Sequence, residues 1–199
     1  MTRFVRRFSR TERLFHWTNA AFFFALLVTG AVLYLPSLEV AVGRRTLVKD
    51  VHFWTGVAWP IALTLVALAG DRRGLLRTAR ELDRFDRDDA RWLAARRPTP
   101  PQGRFNAGQK LNSALTAALT ILFVVSGLLL WFGERDTRLR FASTVVLHDG
   151  LAFAAFVLLA GHLYLALIHP ATRHALRGMT DGTVADDWAA RHHAKWKPE

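Results

Sequence analysis

Four apolar runs, over 14–35, 51–70, 111–132 and 145–168, constrain this chain more than any other feature, because each reaches about 20 residues with very few charges. A bilayer offers no water to the backbone, so a run of that length crosses it as a helix. The sequence therefore predicts an all-α integral membrane protein, a four-transmembrane-helix bundle forming a single domain over 1–199. The polar connection over 71–110 and the tail over 170–199 lie outside the spans. The first run follows a basic segment, as a secretory signal does. It is longer than a signal's apolar core, at about 22 residues, and lacks an Ala-x-Ala cleavage site, so it is kept as a span.

The formal net charge of +11 would suit a nucleic-acid binder if its 27 basic residues were clustered on one surface. They follow topology instead. Twenty-one of them precede span one, join spans two and three, or follow span four. The other six, Arg44, Arg45, Lys49, Arg135, Arg138 and Arg140, occupy the two remaining loops. The positive-inside rule then places both termini in the cytoplasm of a prokaryotic cell, with the chain in its inner membrane. Anionic lipid accounts for the charge, and no nucleic-acid partner is expected.

Span four carries two histidines, His148 and His162. Their separation of fourteen residues puts them about 21 Å apart along the helix and within about 40° of one face. Buried imidazole is costly without a hydrogen bond or a metal, so such residues mark a functional site. Span four runs inward, which places His148 near the outer surface and His162 near the cytoplasm. His52, opening span two, shares the outer level. His16, beside the interfacial Trp17 at the start of span one, shares the inner level. Two pairs at two depths, His52 with His148 and His16 with His162, match two bis-imidazole haems b stacked across the membrane. Alternatives are another metal, or structural hydrogen bonding in a membrane anchor or transporter without haem. Gly30, Gly56, Gly127 and Gly161 offer either clearance for a macrocycle or ordinary small-residue packing. Asp149 is read as orienting His148 or a neighbour, or as facing the outer water. His169 reads as interfacial. His174, His192 and His193 lie beyond the membrane with no haem role.

The absence of cysteine excludes disulfides, cysteine-held iron-sulfur clusters and covalent haem. With no Gly-x-Gly-x-x-Gly and no Walker loop, nucleotide chemistry belongs to another polypeptide. In the connection, Leu75, Leu76, Ala79, Leu82, Phe85, Trp92 and Leu93 fall near helical spacing. They predict an amphipathic helix, either on the lipid surface or packed on other loops. The proline-rich stretch after it cannot be helical. It ends at Phe105-Asn106-Ala107-Gly108-Gln109-Lys110, where Asn106 and Gln109 offer amide donors for a carbonyl-bearing ligand. The same residues also suit a helix cap with a snorkelling lysine.

These motifs together resemble the gamma subunit of respiratory formate dehydrogenase, a di-haem cytochrome b. The resemblance rests on His16-Trp17, His52, Asn106-Ala-Gly-Gln-Lys110, the His148/His162 spacing, and Arg177-Gly-Met-Thr-Asp-Gly-Thr-Val184 followed by Trp188, His192-His193 and Trp196. Related cytochromes b of hydrogenases and thiosulfate reductases share the four histidines. The resemblance implies an electron-transfer subunit with no catalytic residue of its own. It would take electrons from an iron-sulfur beta subunit, fed by a formate-oxidising alpha subunit, and pass them to menaquinone or ubiquinone. It also implies that Asn106, Gly108 and His162 surround that quinone, with Gln109 beside them.

Overall fold

The computed structural model describes residues 3–139 and 141–198. Arg140, counted above among the loop charges, lies outside them. The four apolar runs form α1 (Arg10–Tyr34), α3 (Arg45–Ala69), α6 (Ala107–Gly133) and α7 (Ala142–Leu163), and a π-helical turn over Tyr164–Ile168 continues α7. Each is long and apolar enough to cross a membrane. Large apolar side chains along them face outward, among them Val28, Ile121 and Val157 at 61%, 64% and 67% exposure. That pattern is the reverse of a water-soluble bundle and suits hydrocarbon as the surrounding solvent. The protein is a multi-pass membrane protein.

α1 and α6 start earlier than their apolar runs because polar caps open them. The Glu12 amide donates to the Ser9 hydroxyl (3.2 Å) and the Ser9 amide to the Glu12 carboxylate (2.7 Å), a reciprocal cap opening α1. Asn106 and Gln109 do the same for α6. Short helices fill the connections: α2 (Pro36–Val42), α4 (Arg72–Asp83) and α5 (Arg87–Leu93). The single amphipathic helix expected between spans two and three is therefore two helices. It is broken where the Asp86 side chain accepts from the Asp88 and Asp89 amides and restarts the chain as α5. The proline-rich stretch that follows is irregular, as expected.

The chain divides into two compact units. The first contains the N-terminal segment through Leu14, Ala69–Ala117 and the C-terminal segment from Leu158. In it a strand near the N-terminus, β1 (Phe4–Arg6), pairs antiparallel with β2 (Thr183–Ala185), and Val5 lies opposite Val184. This sheet was not foreseen, since three-residue strands carry no readable period. Strand β2 follows α8 (Leu176–Thr180) and precedes α9 (Asp186–His192). Val184, Trp188 and Ala189 form a small core, with Val5, Ala175, Ala185 and Trp196 against it. Lys110 does not snorkel: its ammonium is buried, 2.6 Å from the Asp89 carboxylate and 2.8 Å from the Arg84 carbonyl.

The second unit contains Phe15–Leu68 and Ala118–Val157, the main lengths of the four spans. Trp59, 2% exposed, ties α3 to α1 by donating its indole N–H to Asn19 (3.0 Å). Phe53 of α3 stacks on Trp131 of α6 at 3.6 Å, and Tyr34 of α1 meets Phe153 of α7 edge-on. Pro60 lies inside α3, with its carbonyl accepting the Thr64 hydroxyl.

Candidate functional site

His52 on α3 and His148 on α7 face each other in the second unit, with ring centres 6.3 Å apart and planes at 76°. Two metal–imidazole bonds of about 2 Å, plus the distance from each bonding nitrogen to its own ring centre, come to about 6 Å. The spacing would let the two imidazoles hold one iron between them. The donor set is two imidazoles only. Among the described residues no three His, Asp or Glu side chains converge as a cage for a bare ion. Haem iron needs no third protein ligand, because the porphyrin supplies the remaining four, so these residues fit haem.

Each ring is held from a different helix. The Thr29 hydroxyl on α1 lies 2.8 Å from His52 Nδ1, and the Ser126 hydroxyl on α6 lies 2.7 Å from His148 Nδ1. A Cβ at Gly30 would sit 3.4 Å from His52 Cε1, and one at Gly127 would sit 3.7 Å from His148 Cε1. These two glycines therefore seat the imidazoles. Gly56 instead packs near Leu26, and Gly161 has nothing within 4 Å. The partner of His148 is Ser126: among the described residues Asp149 makes no hydrogen bond to it. Thr29 and Ser126 were missed in the sequence. The signal that marks them is a hydroxyl immediately before Gly30 and Gly127, on the helix preceding each histidine-bearing span.

The other two histidines lie in separate units. His16, in the second, is half-buried on α1 with its ring edge-on to Trp17 at 5.3 Å. His162, in the first, is exposed on α7, two residues before the π-helical turn. Turns of this type recur at functional sites. His169 ends that turn, with its amide bonded to the Tyr164 carbonyl and Nδ1 3.3 Å from the Thr172 hydroxyl, so its role is to close the helix.

The amide-rich junction belongs to the first unit. The Asn106 amide donates to Gln109 Oε1 (3.1 Å) and the Gln109 amide to Asn106 Oδ1 (2.9 Å). Both side-chain oxygens are therefore spent on the cap, while the side-chain NH2 groups take no part in it. Gly108 is packed: a Cβ there would meet the Trp92 indole at 3.1 Å. Beneath the junction runs Arg7, 3% exposed, bonded through its guanidinium to the Arg104 carbonyl (2.6 Å) and Gln109 Oε1 (3.3 Å). Its charge centre lies over the rings of Phe8 and Trp188. Burial, and then the neighbouring Arg104 cation, lower its pKa to about 9. The tail locks the junction from the far end of the sequence, as His193 Nδ1 donates to the Gly103 carbonyl and the Lys195 amide to the Gln102 carbonyl.

Residues 7–182 match the family described as prokaryotic cytochrome b561. The chain belongs to that family. Membership agrees with the paired imidazoles and the four spans, and it makes the protein a membrane haem-binding helical bundle. Among curated members of similar sequence, the cytochrome b556(fdo) subunit of formate dehydrogenase from Escherichia coli (strain K12) is 27% identical over 209 residues, covering 98% of this chain and 92% of the relative. The cytochrome b556 subunit of formate dehydrogenase from Haemophilus influenzae is 24% identical, covering 100% and 84%. The cytochrome b556(Fdn) subunit of the nitrate-inducible formate dehydrogenase of Escherichia coli (strain K12) is 21% identical, covering 94% and 88%. A prokaryotic cytochrome b561 of this length is thus similar to formate dehydrogenase cytochrome subunits almost from end to end.

Proposed function

We propose that this cytochrome b561 is the membrane subunit of a formate dehydrogenase complex, accepting electrons from an iron-sulfur partner subunit and passing them to quinone. The observation that carries the reading is the facing of His52 and His148 at the spacing of two axial ligands. The near full-length similarity to three such subunits supports the partners: an iron-sulfur subunit and, through it, a formate-oxidising one. Haem b, when bound, supplies reversible one-electron iron chemistry. The chain's own part is to present neutral imidazoles, hold their ring orientation and keep the site apolar. The chain transfers electrons and leaves formate oxidation to its partner.

A second haem with His16 and His162 as its ligands is proposed on the level argument of the sequence alone. The quinone is assigned to Asn106, Gly108, Gln109 and His162. Its support is the pair of side-chain NH2 groups left over by the cap, which can donate to a quinone carbonyl, with His162 as a proton carrier. The distribution of basic residues supports cytoplasmic termini, so protons for quinol formation would enter from that side. Quinone type, menaquinone or ubiquinone, is open to direct extraction.

Acid-acetone extraction followed by a pyridine haemochrome assay tests the cofactor content, with two extractable haems b per chain expected. In His52→Ala one spectral component is lost and the other persists. A haem content near zero in the parent complex, or loss of the same component in His52→Ala and His16→Ala, overturns the reading.

A further inference from the structure

The hydroxyls beside His52 and His148 each meet two backbone carbonyls as well as the ring, the farther carbonyls being Leu26 at 3.2 Å and Phe123 at 3.3 Å. Thr29 Oγ1 lies 2.8 Å from the Ala25 carbonyl as well as 2.8 Å from His52 Nδ1. Ser126 Oγ lies 2.7 Å from the Leu122 carbonyl as well as 2.7 Å from His148 Nδ1. A hydroxyl has one proton, and a carbonyl can only accept. The proton of each hydroxyl therefore goes to the carbonyl one turn back, the usual bond of Ser and Thr inside a helix. What remains toward the imidazole is a lone pair. Each Nδ1 must then carry the hydrogen and donate it, and each Nε2 is left with its lone pair free.

We infer that Thr29 and Ser126 are positioning residues that lock both ligand imidazoles in the Nδ1–H tautomer, so that Nε2 alone is offered to iron. The inference rests on the haem assignment at His52 and His148. The two locks are built alike: hydroxyl then glycine, Thr29-Gly30 and Ser126-Gly127, on the helix that precedes each histidine-bearing span. The hydroxyl fixes the tautomer, and the glycine packs beside the ring, with Cε1 3.4 Å and 3.7 Å from the site of a Cβ. Pairing the lock at both ligands has an electronic result. An Nδ1–H that donates makes the imidazole more basic, which favours ferric over ferrous iron and lowers the midpoint potential.

The test uses the assembled complex carrying Thr29→Val, Thr29→Ser, Ser126→Ala and the double variant Thr29→Val/Ser126→Ala, with haem content, redox titration and low-temperature EPR as readouts. Thr29→Val keeps the shape of threonine and removes its lone pairs. The expected result is an upward shift of the midpoint potential and altered low-spin g-values for one haem only, in Thr29→Val and in Ser126→Ala, with Thr29→Ser returning to the parent value. The double variant should release that haem on the order of tenfold more readily. Unchanged potential and g-values in both single variants overturn the inference. His52→Ala separates this from the underlying assignment: loss of one haem there, with no effect of Thr29→Val, sinks the tautomer lock alone, whereas retention of both haems in His52→Ala removes the assignment itself.

Discussion

His193 Nδ1 lies 2.6 Å from the carbonyl oxygen of Gly103, ninety positions earlier in the chain. The carbonyl accepts, so the imidazole donates from Nδ1. The ring is 1% exposed and tilted against Trp188. Through this bond the tail holds the irregular segment that delivers Asn106 to the start of α6. A histidine assigned no cofactor role by sequence is thus a structural rivet of the candidate quinone junction.

That burial makes the rivet sensitive to acid. Desolvation first, and then the Arg7 cation, push the His193 pKa from its ordinary 6.5 down to about 3. Above pH 6.5 neither the docked nor the released tail binds a proton at this position. As pH falls from 6.5 toward 3 the released form gains one and the docked form does not, so the stability of docking is lost across that window. Limited proteolysis of the tail in detergent-purified complex, as a function of pH, should show cleavage rising below pH 6.5. In His193→Asn, which removes the titrating group, the rise should flatten between pH 6.5 and 4.

The Lys110–Asp89 pair is the second rivet, with both residues buried and the ions 2.6 Å apart. Removing one partner leaves an unpaired buried charge, at a cost of about 3–5 kcal/mol. Lys110→Met should therefore lower the thermal unfolding midpoint or the yield of assembled protein. Asp89→Asn added to Lys110→Met should recover part of the loss, because the orphaned charge is then gone. Equal behaviour of the single and double variants would show that the pair contributes through packing alone.

Gly182 is fixed by backbone conformation. Its φ is +94°, and a Cβ there would lie 2.7 Å from the Phe8 carbonyl oxygen. Its own carbonyl accepts from both the Arg7 and Phe8 amides. Gly182→Ala should undock the β1–β2 pairing, at a cost on the order of 1–3 kcal/mol for the strained backbone. Faster amide hydrogen exchange at Val5 and Val184, with the haem spectrum unaltered, is the expected readout.

Much of the bundle was legible because long apolar runs admit one structure in a bilayer, and because histidine is rare enough in such runs to be noticed. The rings of His52 and His148 lie 6.3 Å apart, centre to centre. The two hydroxyls were not legible, since Thr29 and Ser126 look like ordinary helix residues until the rings opposite them are placed. The sheet of Phe4–Arg6 with Thr183–Ala185 was equally hidden, as a strand of three residues has no periodicity and its partner lies at the other end of the chain. The Arg177–Val184 and Trp188–Trp196 motifs proved to be architecture: Gly178 gives room to Phe8, and Trp188 and His193 fill the core that clamps the junction. Of the two readings of Asp149, the one that had it orient His148 gains no hydrogen bond among the described residues, because neighbours in sequence point to different sides of a helix and Nδ1 is reached by Ser126 of α6.

The cap geometry also changes how the quinone assignment must be tested. Asn106→Leu deletes the amide donors, but it also deletes Oδ1, which holds the Gln109 amide at 2.9 Å, and the loss of a cap costs about 0.5–2 kcal/mol by itself. Asn106→Asp keeps the accepting oxygen at the helix start, where a negative charge is favoured, and removes only the NH2. It should slow reoxidation of the reduced haems by a quinone analogue several-fold, in line with one lost hydrogen bond of about 0.5–1.5 kcal/mol, while leaving haem content and reduction by the electron donor intact. Gln109→Glu makes the matching change at the second amide and should act in the same direction. Stopped-flow reduction and reoxidation measured separately distinguish the cases. If Asn106→Asp reoxidises at the parent rate, or if a quinone-site inhibitor shifts the spectral component that His52→Ala removes, the proposed quinone assignment fails.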